Sequence, residues 1–428
     1  MTPQPYEKYK DSGVEWLGLV PVHWEVKRVK HVADVINGYP FESSLFDSHT
    51  GHPLIRIRDL DQFLVETYYN GEFVECAAIT SDDVLVGMDG DFNVGRWHGK
   101  GIGLLNQRMC CVRSSSQLIT RLLEYSLPFP LKAINDITHS TTVKHLASSQ
   151  VEKTNIAIPP PEEQQAIAAF LDRETAEIDA LLAAKERMLS LMAEKRKALI
   201  TEAVTRGLNP EAERKDSGVP WIGEIPAHWT IQKLGYLARI GNGSTPNRGN
   251  LEYWTNGTFP WIGSGAVNNE FITQSEEWVT ELAVRECHLN LVPKGSVLMG
   301  IVGQGKTRGL AGILTFDSFI NQNMAYITPN EKLSAEYLQK TTVAMYEYLR
   351  AEGDGSGGAQ GAINCDQLSQ VKICVPPLEE QRAIVAHIES ETAKLDALKA
   401  ATERTVALLK ERRSALIAAA VTGQIRVQ

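Results

Sequence analysis

Residues 159–182 read PPPEEQQAIAAFLDRETAEIDALL, and residues 376–399 read PPLEEQRAIVAHIESETAKLDALK. Proline is tolerated in the first turn of a helix, and the glutamates that follow it suit the positive end of the helix dipole. Neither Pro nor Gly interrupts either stretch for more than forty residues after these prolines. The two segments therefore predict two long helices.

Apolar residues recur every seven positions in both predicted helices, in the same register of the repeat, with Lys185 and Thr402 replacing them at the middle position of each series. The apolar members are Leu171, Ile178, Met192, Leu199, Ile388, Leu395, Leu409 and Leu416. Such spacing keeps an apolar seam on one helix face and favours a left-handed coiled pair. We expect the helices to pair, and the alternative is that each lies alone on its own domain.

A second stretch is duplicated in front of each half of the chain. KDSGVEWLGLVPVHW at residues 10–24 returns as KDSGVPWIGEIPAHW at residues 215–229, with ten of fifteen positions identical. His23 and His228 repeat with it, which indicates structural rather than catalytic histidines. Because residues 207–214 lead from the first long helix into the second copy, we expect residues 10–24 to lie near residues 415–428.

Between the duplicated segments the two halves diverge and share only short anchors, such as DVLVGMDG and SVLMGIVG. Short alternating runs separated by turn sequences (NG, GDG, NGST) predict mixed α+β modules. A repeated scaffold with divergent content indicates two modules of one fold that do different jobs.

The composition, with 43% hydrophobic and 22% charged residues among 428, is that of a soluble protein of two or three domains. The N-terminus lacks the pattern of a secretory signal, and no apolar run is long enough to span a membrane, so we expect a cytoplasmic protein without a membrane partner. None of the six cysteines forms a C-x-x-C pair, so we expect buried, reduced thiols and no metal site.

Net charge is -9, yet two windows contain basic residues and no acid. Residues 92–123 contain Arg96, Lys100, Arg108, Arg113 and Arg121. Residues 287–316 contain Lys294, Lys306 and Arg308. Local positive charge at corresponding places of a repeat predicts two DNA-facing surfaces.

Three motifs resemble catalytic sites but lack the residues that such sites require. GIVGQGKT at residues 300–307 matches a phosphate-binding loop, but glycines follow where a helix should begin. WIGSG at residues 261–265 faintly resembles a methyltransferase loop, without an N/D-P-P-Y/F partner. Asp89 and Asp91 are more typical of a turn than of a nuclease metal site. We expect no catalysis, and interpret residues 300–307 as a DNA-contacting turn.

Taken together, the duplicated P-P-x-E-E-Q helices, the duplicated KDSG segments, TPNRGNLEYWTNGTFPWI at residues 245–262 and GSVLMGIVGQGKTRG at residues 295–309 resemble the specificity subunits of type I restriction-modification enzymes. The resemblance covers nearly the whole chain. It implies an α+β protein in which two tandem mixed α/β target recognition domains are separated by two long antiparallel coiled-coil helices, with an internal pseudo-twofold repeat. The N-terminal half lacks the TP and YW pairs found around Thr245 and Tyr253, so residue roles transfer less well there.

The resemblance also implies a domain order and a function. The expected order is a recognition domain at 1–158, a helical spacer at 159–206, a linker with the second recognition domain at 207–375, and a second spacer at 376–428. Each recognition domain would read one half of a bipartite, asymmetric DNA site, while the helices set the spacing and dock two methyltransferase subunits. Those subunits would recruit motor-nuclease subunits, and S-adenosylmethionine, ATP and magnesium would belong to these partners.

The candidate site residues follow from these arguments. DNA contacts are expected from Arg56, Arg58, Arg96, Lys100, Arg108, Thr245, Arg248, Gln304, Lys306 and Arg308. The eight seam residues of the long helices are expected on the partner-binding helices. Two alternatives remain open: a stand-alone DNA methyltransferase, and a non-catalytic coiled-coil scaffold that only joins partners.

Overall fold

The computed structural model describes residues 4–137, 144–302, 305–354 and 361–427. The chain forms two compact units, of which the first comprises residues 1–185 with 404–428 and the second residues 186–403. The boundary between the units crosses both long helices. Each unit therefore contains one mixed module and one part of each long helix.

Short strands form the sheets of the first module. They are β1 (Tyr9–Asp11), β2 (Leu19–Pro21), β3 (Glu25–Arg28), β4 (Asp34–Asn37), β5 (Phe46–Asp47), β6 (His52–Ile55), β7 (Tyr68–Tyr69), β8 (Ala78–Ile79), β9 (Val84–Gly87), β10 (Val94–Gly95), β11 (Gly103–Leu105), β12 (Met109–Arg113) and β13 (Asn155–Ile158). One sheet has the order β10-β9-β12-β4 and another has the order β5-β7-β6-β11-β8. Separate ladders join β1 to β2 and β3 to β13.

Helices of the first module lead into the first long helix. They are α1 (Gln117–Ser126), α2 (Pro128–Ile137), α3 (Ser148–Lys153) and α4 (Pro161–Arg206). The main core of the first unit buries Trp24 and Leu123 of the module together with Leu171 of α4. A large apolar side chain contributes about 1.5–3 kcal/mol when fully buried, so this shared core fastens the module to the helix.

The second module is built in the same way. Its strands are β14 (Arg214–Asp216), β15 (Glu224–Pro226), β16 (Thr230–Lys233), β17 (Ala238–Asn242), β18 (Phe259–Ile262), β19 (Phe271–Ile272), β20 (Glu277–Val279), β21 (Val297–Gly300), β22 (Ala311–Leu314), β23 (Phe319–Ile320), β24 (Met324–Pro329) and β25 (Lys372–Val375). Its helices are α5 (Leu234–Leu237), α6 (Glu281–Glu286), α7 (Ala335–Ala344), α8 (Tyr346–Asp354), α9 (Cys365–Gln370) and α10 (Leu378–Val421). The sheet orders are β17-β24-β21-β22-β19 and β20-β18-β23.

The strand pairing of the first module returns in the second. The β3–β13 ladder corresponds to β16–β25, and the β9-β12-β4 order corresponds to β21-β24-β17. The parallel pair β6–β11 likewise corresponds to β18–β23. A serine caps the first helix after each sheet, Ser116 on α1 and Ser334 on α7. The predicted duplication of one mixed fold is confirmed, even where the sequences diverge.

Both predicted long helices are present. The first, α4, has 46 residues and α10 has 44, and each has glutamates in its first turn. Gly207 follows α4 with φ +71°, and Gly423 follows α10 with φ +73°. A glycine in the left-handed region is the common end of a helix, because a side chain there would be strained. The helices therefore begin and end where Pro and Gly stand in the sequence.

The two helices pair within each unit through equivalent ion pairs. In the first unit, Arg413 Nε lies 2.8 Å from Asp179 Oδ1. In the second unit, Arg196 Nη1 lies 2.6 Å from Asp396 Oδ1. Each aspartate lies in the N-terminal half of its helix, and each arginine lies near the C-terminal end of the other helix. The pairing is therefore antiparallel. The alternative of helices lying alone on their domains is wrong.

A buried tryptophan clamps the helix ends together in the first unit. The indole of Trp24 donates to Glu163 Oε2 at 2.9 Å, and His23 Nε2 lies 2.7 Å from Glu163 Oε1. The Tyr6 hydroxyl donates to the same carboxylate at 2.7 Å. Burial alone would raise the pKa of Glu163, but the hydrogen bonds from Tyr6, Trp24 and His23 outweigh it and lower that pKa. The histidine is therefore structural, as predicted.

The same clamp is present in the second unit. Trp229 donates to Glu380 Oε2 at 2.9 Å, and His228 Nε2 lies 2.7 Å from Glu380 Oε1. Trp229 also packs near Gly207, the residue that ends α4. The duplicated P-x-H-W and P-P-x-E-E-Q motifs therefore contact each other, which explains why both are repeated.

The N-terminal segment closes on the end of α10. The hydroxyl of Tyr9 donates to the Gly423 carbonyl at 3.1 Å, and Gln424 Nε2 donates to the Leu19 carbonyl at 2.7 Å. The Arg426 amide donates to the Gln4 carbonyl at 2.6 Å. The expectation that residues 10–24 lie near residues 415–428 is confirmed.

The cysteines differ in their environments. Cys110, Cys111 and Cys374 are buried, and burial raises the pKa of the Cys110 and Cys374 thiols to about 12. Cys76 is exposed, so the expectation of buried thiols is wrong there. Among the described helices, none is long and apolar enough to cross a membrane.

Gly423→Ala tests the closure of the N-terminal segment on α10. An added Cβ would lie 2.3 Å from Pro21 Cδ, and φ at this position is +73°. We expect a loss of about 2–4 kcal/mol in unfolding free energy, from backbone strain and overpacking together. Gly13→Ala is the matched control, because Gly13 has φ +68° but no atom within 4 Å of an added Cβ. Equal losses in urea titrations of the two variants would contradict the close contact.

Glu163→Gln tests the clamp and its pH dependence. Because the pKa of Glu163 is lowered on folding, its stabilisation is present above about pH 4.5 and is lost as the pH falls through the lowered value. At pH 7 we expect the variant to lose about 1–3 kcal/mol, and the gap to wild type should narrow in acid. Unfolding midpoints measured from pH 3 to 7 check this, with the exposed Glu162→Gln as control. A constant gap would contradict the charged clamp.

Candidate nucleic-acid interface

The first basic window presents a lysine outward and an arginine inward. Lys100 is exposed. Arg96 is only 8% exposed, and its Nε lies 2.8 Å from Glu124 Oε2. The expectation that Arg96 lies on an exposed face is wrong, because the neighbouring acid stands on α1 just beyond the acid-free window.

Arg96 is joined to the long helix through a network of charged side chains. Arg121 Nη1 lies 3.3 Å from the same Glu124 oxygen, and its Nη2 contacts Asp172 of α4. The Tyr125 hydroxyl donates to Asp172 at 2.6 Å. Burial alone would raise the pKa of Asp172, but hydrogen bonds from Arg121 and Tyr125 outweigh it and lower that pKa. The loop that bears Lys100 is thereby attached to α4.

Arg56 and Arg58 follow β6, at the edge of the parallel pair. The half-buried Arg56 donates to the Thr67 hydroxyl, and burial lowers the pKa of its guanidinium. Arg58 is exposed, and its Nη1 lies 2.9 Å from Glu66 Oε2. Of these two arginines, Arg58 is the one accessible from solvent.

The paired aspartates of the first module do not form a free acidic cluster. Asp89 contacts Arg108 and lies 2.8 Å from His145 Nδ1. Burial alone would raise the pKa of Asp89, but these partners lower it. Arg108 itself is exposed. Within the described ranges, no group of three or more His, Cys, Asp or Glu side chains is arranged to hold a metal.

The phosphate-loop match in the second half lies in a β-hairpin. Residues 300–307 start at the end of β21, and β22 pairs antiparallel with β21 after them. A phosphate-binding loop instead opens a helix whose amides face the phosphates. The next element after this loop is a strand, so the loop lacks that geometry. Gln304, a predicted DNA contact, lies outside the described residues.

Two side chains of α8 hold the backbone of this hairpin loop. The hydroxyl of Tyr346 donates to the Lys306 carbonyl at 2.9 Å. Arg350 Nη1 donates to the Gly305 carbonyl at 2.8 Å and to the Arg308 carbonyl at 3.3 Å. The sequence analysis did not single out Tyr346 or Arg350, because α8 lies forty residues away along the chain.

The second basic window repeats the arrangement of the first. Lys306 is exposed, whereas Arg308 is 1% exposed, with its Nη2 3.5 Å from the Arg350 carbonyl. The expectation of an exposed Arg308 is wrong, because its side chain is buried against the backbone of α8. In both windows a lysine faces solvent and an arginine anchors the loop.

The TPNR segment lies against a pair of tryptophans. The guanidinium of Arg248 lies 4.0 Å from the Trp254 ring centre and 4.9 Å from that of Trp261. Both Nη atoms of Arg248 donate to Glu277 at 2.7 Å, which raises the pKa of the arginine. Thr245 is half-buried and donates to Gln322. Arg248 is exposed but already paired.

The seam residues of the long helices face inward. Leu171, Ile178, Met192 and Ile388 are buried, and Leu199, Leu395, Leu409 and Leu416 are half-buried. The apolar seam is therefore confirmed. Its buried members stabilise the helix pair, and the assignment of these helices as partner-binding stays a prediction.

Other leucines on these helices face solvent. They are Leu181, Leu191, Leu398 and Leu408, which are 45–58% exposed. Leu181 and Leu398 occupy the same position of the repeat, as do Leu191 and Leu408. Each unit thus has one leucine of each type.

Comparison with known proteins agrees with this architecture. A family model described as the type I restriction modification DNA specificity domain matches residues 21–187 and 226–406. The chain is 30% identical to the EcoBI specificity subunit of Escherichia coli, over 96% of this chain and 88% of that one. It is 24% identical to the MjaVIII specificity subunit of Methanocaldococcus jannaschii, over 98% and 97% of the two chains. The chain belongs to the family of type I restriction-modification specificity subunits.

The fold of this specificity subunit is also that of a solved relative. A chain from a study of complex assembly and conformational transition of the type I R-M system aligns with a TM-score of 0.69. The alignment covers 94% of this chain and 98% of that one, at 18% identity. The expected fold class, with two mixed recognition domains and long antiparallel helices, is confirmed.

Tyr346→Phe tests whether α8 holds the hairpin loop of this specificity subunit. Loss of one hydrogen bond, worth about 0.5–1.5 kcal/mol, should speed amide exchange in residues 305–310 by about 2- to 12-fold. Hydrogen–deuterium exchange with mass spectrometry measures this. Tyr236→Phe, in the same unit and with its tyrosine 74% exposed, is the control and should leave the loop unchanged. Equal exchange in all three proteins would show that Tyr346 does not hold the loop.

Proposed function

We propose that this specificity subunit binds double-stranded DNA, and that each recognition module reads one half of a bipartite, asymmetric site. The duplicated framework supports this, because two modules of one fold carry unlike loops. Base edges are read only where side chains enter a groove, so unlike loops on one framework favour two unlike half-sites with an unread gap. The modules correspond to residues 1–158 and 207–375, and the spacers to residues 159–206 and 376–428.

The outward lysines Lys100 and Lys306 are the main candidates for phosphate contact. Three exposed arginines, Arg58, Arg108 and Arg248, are held in ion pairs with carboxylates. The pairs of Arg58 and Arg248 have exposed carboxylates, and an exposed ion pair is worth about 0–1 kcal/mol, so a DNA phosphate can replace these carboxylates at small cost. Arg96 and Arg308 act as anchors of their loops. The remaining candidates are Arg56, Thr245 and Gln304.

The long helices set the gap between the half-sites. At about 1.5 Å per residue, helices of 46 and 44 residues extend about 65–70 Å, which exceeds what a module of this size needs for its own core. The unit boundary lies inside both helices, between residues 185 and 186 and between residues 403 and 404. The length of helix between the modules therefore determines how far apart they read.

Two methyltransferase subunits dock on the long helices. The exposed leucines support this, because Leu181 with Leu408 in the first unit repeats as Leu398 with Leu191 in the second. Duplicated apolar surfaces suit two copies of one partner. Motor-nuclease subunits then join through the methyltransferase subunits.

The chemistry belongs to those partners, with S-adenosylmethionine, ATP and magnesium bound there and no catalytic residue on this chain. The ion-paired Asp89 and the hairpin geometry of residues 300–307 support this assignment. Incubation of the purified chain with labelled S-adenosylmethionine and DNA distinguishes this proposal from a stand-alone methyltransferase, which would label the DNA without a partner. A chain that joins partners without altering their DNA preference would instead be a scaffold.

Lengthening both helices tests the proposed function and the spacing together. Seven residues, one heptad, would be inserted in α4 between Lys185 and Glu186 and in α10 between Glu403 and Arg404. The added length of about 10 Å corresponds to about three base pairs. The complex with methyltransferase subunits should methylate the same half-sites with a gap about three base pairs longer, read by sequencing of methylated DNA.

The control carries the heptad in α4 alone, which breaks the match between the antiparallel helices and should abolish ordered assembly. An unchanged gap with both insertions would contradict the spacing role. Methylation that does not depend on this chain at all would contradict the proposed function.

A further inference from the structure

An apolar tip projects from the first module at Phe63 and Leu64. These side chains are 74% and 79% exposed, which leaves about three quarters of their surface in water. Soluble proteins seldom leave two adjacent large apolar side chains this exposed unless the surface meets a ligand or partner. The residues around the tip indicate which kind of molecule it meets.

The tip is held by the loop of the first basic window. The Asp61 amide donates to the Arg96 carbonyl at 2.6 Å, and the Arg96 amide donates to Asp61 Oδ1 at 3.1 Å. The His98 amide donates to the Gln62 carbonyl at 3.0 Å. Asp61 adopts φ +58°, which costs an L residue energy and is retained here by these bonds. The tip and the basic loop therefore form one element.

An aromatic contact and an exposed lysine lie beside the tip, and Arg58 before the tip is paired to Glu66 after it. The ring centres of Phe63 and His98 lie 5.4 Å apart. The same loop carries the exposed Lys100, and Arg58 precedes the tip by a few residues on an exposed turn. An exposed lysine on the loop that holds an apolar tip suits DNA, where phosphates attract the lysine and bases offer apolar surface.

The repeat distinguishes DNA from a protein partner. A surface for two copies of one subunit should be duplicated, as the exposed leucines of the long helices are. When LIRIR at residues 54–58 is aligned with WIGSG at residues 261–265, Glu270 stands in place of Phe63 and is paired with Lys340, whereas the 45% exposed Phe271 stands in place of Leu64. Phe63 is therefore particular to the first module, as a side chain that reads only one half-site must be.

We propose that Phe63 and Leu64 contact bases of the first half-site through their apolar surfaces and so contribute to its sequence preference. This inference rests on the proposed function. Phenylalanine packs on the thymine methyl group in the major groove, and phenylalanine and leucine also wedge between base steps. Neither contact needs a charge, so the tip adds discrimination while the lysines supply attraction to the phosphates.

The double variant Phe63→Ala/Leu64→Ala, assembled with the methyltransferase subunits, tests this. We expect affinity for the methylated site sequence to fall about tenfold or more, because apolar base contacts carry discrimination. Affinity for DNA without the site should stay within about twofold, and its salt dependence should be unchanged because no charge is lost. On DNA with the first half-site scrambled, variant and wild type should bind alike. Ile137→Ala, at a position of the same unit that is also 74% exposed, is the matched control.

The outcomes separate this inference from the proposed function. If wild type discriminates the site and the double variant discriminates it equally well, the tip does not read bases and the inference is overturned. Loss of assembly with the methyltransferase subunits would make the tip a protein contact and would also overturn it. If the wild-type complex itself shows no site preference, the proposed function fails and the inference falls with it.

Discussion

One hydrogen bond, from a buried indole to the carboxylate that opens a long helix, organises each unit of this chain. Trp24 donates to Glu163 in the first unit and Trp229 donates to Glu380 in the second. Each tryptophan also packs near the glycine that ends the other long helix. Each tryptophan therefore joins the start of one long helix, the end of the other and the segment beside them. Loss of its acceptor would leave a buried donor unsatisfied, which costs about 1–3 kcal/mol. In the first unit this junction is made only by contacts, because the N-terminal segment and the end of α10 are not consecutive in the chain.

The duplicated clamp leaves the recognition modules free to differ. The ladder of β3 with β13, its counterpart of β16 with β25, and the seam of the helices all lie in or beside duplicated segments. The basic loops of the two modules lie outside these duplicated segments. Each is held by side chains of its own module. Asp61 and Glu124 hold the basic loop of the first module, whereas Tyr346 and Arg350 hold that of the second. The two modules thus share a fold but hold their basic loops with different side chains.

The basic residues of these loops differ in burial: the arginines are buried and anchor the loops, whereas the lysines are exposed. Arg96 and Arg308 lie inside, where a planar guanidinium with several donors can satisfy carboxylate or carbonyl oxygens. Lys100 and Lys306 remain in water, which suits a strongly hydrated ammonium group. Exposed arginines elsewhere are held by single carboxylates. The surface available to DNA is thus narrower than the count of basic residues indicates.

The sequence by itself determined the duplication, the limits of the long helices, their apolar seam and the family, because proline, glycine and a seven-residue period act locally and repeat visibly. The structural role of His23 and His228 was also predicted from their repetition. Only the tertiary structure decided which basic residues face outward, since the partners of Arg96 and Arg308 lie outside their own windows. It likewise decided that the backbone of residues 305–308, between two antiparallel strands, is held by α8, and that Phe63 and Leu64 stand exposed beside the basic loop. These features depend on contacts between segments far apart along the chain, and local sequence patterns do not encode such contacts.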